Sequence, residues 1–239
     1  MQVSENGLVE QTQTRKTEFL FTQAKLSCFG NVITAGLVGI IYWQKLNSGL
    51  LLLWLLLVSI ILVQRWKLVV GFAQRNRYTS TARWYHAYNR NVCCNGIAWG
   101  MMFLYTCAAL NTQSLTGFVA ILGVLVASSN IAYNSHLKTY LRFVLPALLP
   151  ALIYMVFFGF ADKLLLTAVS ASWFVLMYSF AKQLNTHVGL TSAYEAENIK
   201  LLRELENLQG VSIRLQEEIA LKSKIIDHLR QDSSSTAYP

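Results

Sequence analysis

The run LSCFGNVITAGLVGIIYWQ (26–44), the four residues KLNS, and then GLLLLWLLLVSIILVQ (49–64) decide the fold. A helix that crosses about 30 Å of hydrocarbon at 1.5 Å per residue needs about 20 mostly apolar residues. Two such runs four residues apart read as paired spans joined by a tight turn. Four more runs follow, at Val92–Leu110, Thr116–Tyr133, Phe143–Ala161 and Leu164–Ala181, and none of the six contains Lys, Arg, Asp, Glu or His. Their apolar residues cover the whole helical circumference, as lipid-embedded helices require. The expected fold is an all-α membrane protein with six transmembrane helices.

Composition agrees. Of 239 residues, 54% are apolar and 13% charged, against about a quarter charged in soluble domains. The net charge of +8 is unevenly placed: between Phe19 and Tyr194, one acid (Asp162) faces twelve Lys and Arg, whereas residues 195–239 carry eight acids and six bases. A soluble globule and a secreted disulfide scaffold are poor readings of such a chain. Nucleic acid is not an expected partner, because the excess bases sit between apolar runs; membrane lipid is.

The loops set the orientation. Residues 45–48, 111–115 and 162–163 carry only two bases, Lys45 and Lys163. The opposite side receives Arg15, Lys16, Lys25, Arg65, Lys67, Arg75, Arg77, Arg83, Arg90, Lys138, Arg142 and Lys182, twelve bases against two. By the positive-inside rule both termini face the cytoplasm, as an even number of spans also demands. Residues 1–25 then form a polar cytoplasmic lead, irregular to about residue 17 and not a cleavable signal. Within it EFLFTQAK (18–25) reads either as an interfacial amphipathic turn or as the frayed start of the first span. Residues 26–184 are the six-helix domain, 185–230 a cytoplasmic coiled coil and 231–239 a disordered tail.

The coiled coil rests on AYEAENIKLLRELENLQGVSIRLQEEIALKSKIIDHLR (193–230). With Asn198 at heptad position a, Leu201, Leu208, Leu215 and Leu229 occupy d, and Leu205, Ile219 and Ile226 occupy a. Leucine at d with isoleucine and one asparagine at a is the pattern of a parallel two-stranded coil, held for about five heptads. Lys222 is the one poor d residue. An amphipathic helix lying on the membrane is the alternative. No proline separates the sixth span from this segment, so a continuous helix from Leu164 to Arg230 would be about 100 Å long.

No catalytic constellation is visible: there is no glycine-rich phosphate loop, no HExxH, no CxxC and no paired carboxylates, so neither enzyme activity, metal nor cofactor is expected. Spans free of ionisable residues also argue against an ion-coupled transporter. Cys28, Cys93, Cys94 and Cys107 read as packing thiols, and His86, His136, His187 and His228 are scattered along the cytoplasmic side. Three features of the spans remain. Gly96 and Gly100 form a GxxxG element that permits close helix approach. Pro146 and Pro150 bend the fifth span, as a hinge or simply as a shape. Asn95 with Trp99, and Asn130 with Tyr133 and Asn134, either line a small ligand pocket or make interhelical hydrogen bonds and an aromatic belt.

The order of these features resembles the six-span membrane input region that precedes bacterial histidine kinases and diguanylate cyclases. The resemblance lies in ARWYHAYNRNVCCNGIAWG (82–100), SHLKTYLRFVLPALLP (135–150) and YEAENIKLLRELENLQ (194–209), and spans residues 25–229. It implies a bacterial inner-membrane sensor whose cytoplasmic coil would drive an output domain; here the chain ends about ten residues after the last heptad. The expected function is therefore a non-enzymatic sensory or adaptor module, homodimeric through residues 194–229, with a kinase or cyclase as a candidate heteromeric partner. A structural subunit of a secretion or envelope complex is the first alternative, and a passive facilitator for a neutral solute the second.

Overall fold

The computed structural model describes residues 5–75, 81–133, 135–158 and 161–235, with side chains placed for 14–75, 81–133, 135–157 and, apart from 192 and 196, 164–224. Everything regular within them is helical: α1 (Glu5–Tyr42), α2 (Ser48–Ala73), α3 (Thr81–Ala109), α4 (Thr112–Tyr133), α5 (Leu137–Phe158) and α6 (Ala161–Ser235). Each of the six contains a stretch long and apolar enough to cross a membrane, so the chain is a multi-pass membrane protein. Ile40, Leu53, Phe157 and Leu165 are all more than 60% exposed, the outward apolar surface that lipid rewards and water would not.

The short turns are held by asparagine. Asn47 caps α2, its Oδ1 accepting from the amides of Gly49 and Leu50 at 3.0 and 3.2 Å. Asn111 does the same before α4, accepting from Ser114 N at 3.0 Å. Each satisfies amides that no helical carbonyl can reach.

Two boundaries differ from the sequence expectation. Helix α1 begins at Glu5, inside the stretch read as an irregular lead, and Glu18–Lys25 is neither an interfacial turn nor a fray. Leu20, Phe21 and Ala24 are buried in the core, and Phe21 stacks on Phe72 of α2 with ring centroids 3.8 Å apart. Glu18 pairs with Arg75 at 2.6 Å, fastening α1 to the end of α2. Helix α2 continues nine residues past Gln64, to Ala73. Arg65, fully buried on that extension, therefore no longer counts among the flanking bases, and the count becomes eleven against two.

The chain divides into two compact units, Met1–Ser192 and Ala193–Pro239. In the first, α3 lies against α5, α1 against both α2 and α4, and α2 against α3. The α3–α5 seam is built by Gly96 and Gly100. A β-carbon on Gly96 would overlap the Phe143 carbonyl oxygen, and one on Gly100 the Pro146 carbonyl oxygen. The prolines explain why that second oxygen is available. Pro150 lacks the N–H that would bond the carbonyl four residues back, which is that of Pro146. The freed oxygen faces an α-hydrogen of Gly100 instead, the geometry of a weak C–H···O bond between close helices. Pro146 and Pro150, candidates for a hinge, lie within a single helix, and one consequence of theirs is this contact.

The second unit is the α6 segment from Ala193 onward, helical to Ser235 and so past Arg230, where the sequence reading began a disordered tail.

Gly100→Ala should destabilise the bundle by about 1–3 kcal/mol, the usual cost of overpacking. Gly36→Ala, at a position with no atom within 4 Å of the added carbon, should not. Reversible unfolding in mixed micelles compares the two directly.

Candidate functional site

The centre of the bundle is polar, and its key residue is one the loop count had placed outside. Along α2 the buried face runs Leu51, Trp54, Val58, Ile61, Leu62, Arg65, Val69, Phe72. These recur at helical spacing, and Arg65 falls on the same stripe. It lies eight residues, about 12 Å of helix, from the end of α2. Its exposure is 0%.

Four helices converge on this guanidinium. Arg65 Nε donates to Asn91 Oδ1 of α3 at 2.8 Å. Its Nη1 donates to the Tyr133 hydroxyl of α4 at 3.1 Å and, more weakly, to Ser27 Oγ of α1 at 3.3 Å. Ser27 Oγ and the Tyr133 hydroxyl are themselves 3.1 Å apart. The Tyr88 ring lies 5.9 Å from the guanidinium carbon, near the outer limit of a cation–π contact. Asn91 is held in place by its own amide, which donates to the Ile61 carbonyl at 2.9 Å. Arg65 Nη2 has no acceptor among the described residues. No carboxylate among the described residues supplies the counter-charge: the only acid in the sequence between Phe19 and Tyr194 is Asp162, in the first turn of α6.

Magnitudes show why this arrangement persists. Even on the mildest scale an arginine at the middle of a spanning helix costs about 2.5–3.5 kcal/mol. A hydrogen bond to a charged group contributes about 1.5–3 kcal/mol, so the bonds to Asn91 and Tyr133 together are of the size of that penalty. They hold only while all the helices stay in register.

One turn deeper a second cluster continues the polar line. Asn31 Oδ1 of α1 accepts from Asn95 Nδ2 at 2.8 Å and from Trp99 Nε1 at 3.2 Å, both on α3, while Asn31 Nδ2 donates to the Ser27 carbonyl at 2.9 Å. Trp99 meets Trp54 edge to face at 4.9 Å, and Trp54 Nε1 donates to the Ala98 carbonyl at 2.9 Å.

The expected pocket residues are thus separated rather than gathered. Asn95 and Trp99 join Asn31, and Tyr133 joins Arg65. Asn130 turns to α6, its Nδ2 donating to the Met177 carbonyl at 3.2 Å. Asn134 lies outside the described residues. Asn95, Trp99, Asn130 and Tyr133 are all at most 1% exposed. They serve the interhelical bonding that the sequence reading weighed against a pocket. A cavity of about 440 Å³ lies elsewhere, between α3, α4, α5 and the first part of α6, lined by Phe103, Leu122, Gly123, Leu148, Val169 and Trp173 among others. Its walls are almost wholly apolar, so it suits a lipophilic molecule.

On the α4–α5 turn, burial, helped by the nearby Lys16 ammonium, pushes the His136 imidazole from 6.5 down to about 4. The ring sits 4.7 Å from that of Tyr85. Of the proposed dimerisation residues, Asn198, Leu201, Leu205, Leu208, Leu215 and Ile219 are exposed on α6, while the side chains of Ile226 and Leu229 lie outside the described ones.

Compared with known protein families, curated proteins and solved structures, the chain shows no match.

Two outcomes follow. Tyr133→Phe removes the hydroxyl from Arg65 and Ser27 and should cost about 1–3 kcal/mol in micellar unfolding, whereas Tyr178→Phe should cost little. The folded chain keeps His136 neutral down to about pH 4, while an unfolded imidazole takes its proton near 6.5. Stability should therefore be full above about pH 6.5 and fall as pH drops toward 4, because the unfolded chain binds the extra proton. His136→Gln should flatten that part of the melting-temperature profile.

Proposed function

We propose that this chain is a non-enzymatic sensory or adaptor module of a bacterial cytoplasmic membrane, with both termini in the cytoplasm. It pairs with a second copy through the α6 heptads and relays a membrane or small-molecule signal to a partner such as a kinase or cyclase. The observation that carries this reading is the uncovered heptad stripe. Leu201, Leu205, Leu208, Leu215 and Ile219 are each 51–67% exposed, at a and d spacing along one helix. A stripe of this kind buries its apolar surface by pairing.

Lys222, the misfit at d, supports the register. Its Nζ pairs with Glu218 Oε1 at 2.8 Å, which draws the ammonium toward position g and away from the seam. The eleven-to-two distribution of flanking bases supports cytoplasmic termini. The resemblance to sensor input regions supports the signalling role. The signal itself is read as lipophilic, since the 440 Å³ cavity beside Trp173 is apolar. A change of packing there would alter α4, α5 and the first part of α6. The solute-facilitator reading is disfavoured because the amides Asn31, Asn91, Asn95 and Asn130 are engaged between helices.

Substituting Leu201, Leu208 and Leu215 together by Gln should convert the dimer to monomer at micromolar concentration. Light scattering of the detergent-solubilised full chain reads this, and a dimer that survives the triple substitution contradicts the pairing.

A further inference from the structure

The ends of α3 and α5 at which the apolar runs begin carry a feature that the sensory reading does not use. A pocket of about 600 Å³ there is lined by Arg83, His86, Asn89 and Arg90 of α3 and by Arg142 of α5, with no acid in its wall. None of the three guanidinium groups is drawn to a carboxylate among the described residues. Asn89 is 1% exposed. Its Oδ1 accepts from Thr139 Oγ1 at 2.8 Å, which fixes the amide, and its Nδ2 has no acceptor among the described residues. A buried amide donor of this kind is costly to leave unbonded. The pocket therefore offers three exposed guanidinium groups and one oriented neutral donor, a set that matches a tetrahedral oxyanion.

Its depth narrows the source. The lining residues precede Val92 and Phe143, where the uncharged runs of α3 and α5 start. Trp84 and Tyr85 lie on the same turns of α3, as aromatic residues do at the headgroup level. Basic pockets between spanning helices at that level attract anionic headgroups.

We propose that this pocket binds a phosphate group, supplied by the headgroup of an anionic phospholipid. Arg90 and Arg142 hold the charge from the two sides of the α3–α5 seam, and Asn89 Nδ2 donates to one phosphate oxygen. The lipid then cross-links the mouth of the seam that Gly96 and Gly100 close further in.

The test uses the full chain in nanodiscs of phosphatidylcholine with graded phosphatidylglycerol, followed by native mass spectrometry of retained lipid. Wild type should retain phosphatidylglycerol, and Arg90→Gln with Arg142→Gln should retain about tenfold less. Arg203→Gln with Arg214→Gln, which removes the same charge from the tail, should match wild type. Asn89→Asp keeps the acceptor for Thr139 but replaces the free donor with an anion; it should also lose the lipid while melting normally in pure phosphatidylcholine. A second arm adds inorganic phosphate to phosphatidylcholine discs. A melting shift there that the Arg90/Arg142 variant lacks, with no preference for phosphatidylglycerol, would overturn the lipid source. Equal lipid retention by wild type and variants, with no response to phosphate, would overturn the site.

Discussion

A guanidinium buried among helices with no carboxylate to answer it is the constraint on which the bundle depends. Arg65 cannot shed its proton, and no acid lies near it in the sequence of the spans. Its charge is met by oxygen atoms and an aromatic ring contributed by α1, α3 and α4, so these helices must hold their register about α2. Dispersed neutral partners of this kind specify geometry more strictly than one carboxylate would, since each supplies only part of the compensation. The Asn31–Asn95–Trp99 cluster one turn away extends the same logic, tying α1 to α3 without any charge.

Helix α3 is where these demands meet. One part of its surface gives Asn91, Asn95 and Trp99 to the polar line, and another gives Gly96 and Gly100 to the backbone of α5. The two are coupled through spacing. Polar groups fix how α3 sits against α1 and α2, and the glycines let α5 approach until the freed Pro146 carbonyl meets Gly100. Helices surrounded by lipid have little hydrophobic drive to press together, so close backbone approach and hydrogen bonds take that role. On the proposed reading the α6 heptads would answer to a different solvent: in water, exposed leucines at a and d would drive association.

Much of this architecture was legible in the sequence. Six apolar runs and the glycine pair appear in the structure where composition and spacing put them; the capping asparagines Asn47 and Asn111 were not singled out. What was missed was missed for one reason: spans were ended at the first charge. The stripe Leu51, Trp54, Val58, Ile61 continues at helical spacing through Arg65 to Val69 and Phe72, and following it would have placed the arginine inside. Likewise Thr17, Leu20, Ala24, Ser27 and Asn31 form one buried face of α1 that crosses the boundary drawn at Lys25. Asn95, Trp99 and Tyr133 stand out in the sequence as candidate pocket or interhelical residues. Their partners Ser27, Asn31 and Arg65 could not be read from one sequence, because they are more than thirty residues away and nothing local points to them. The absence of ionisable groups inferred for the spans does not hold, since Arg65 is one, buried and bonded to neutral partners.

Under the proposed sensory role, a signal would act by changing the packing of the helices that Arg65 holds in register. The physical premise is the part most directly tested. A double-mutant cycle on Arg65→Met and Asn91→Leu, followed by reversible unfolding of the full chain in mixed micelles, isolates it. Asn91→Leu alone strands the charge, so the account predicts that adding Arg65→Met restores part of the lost stability, a coupling of about 0.5–3 kcal/mol. Single costs that simply add, leaving the double variant the least stable of the set, would contradict it.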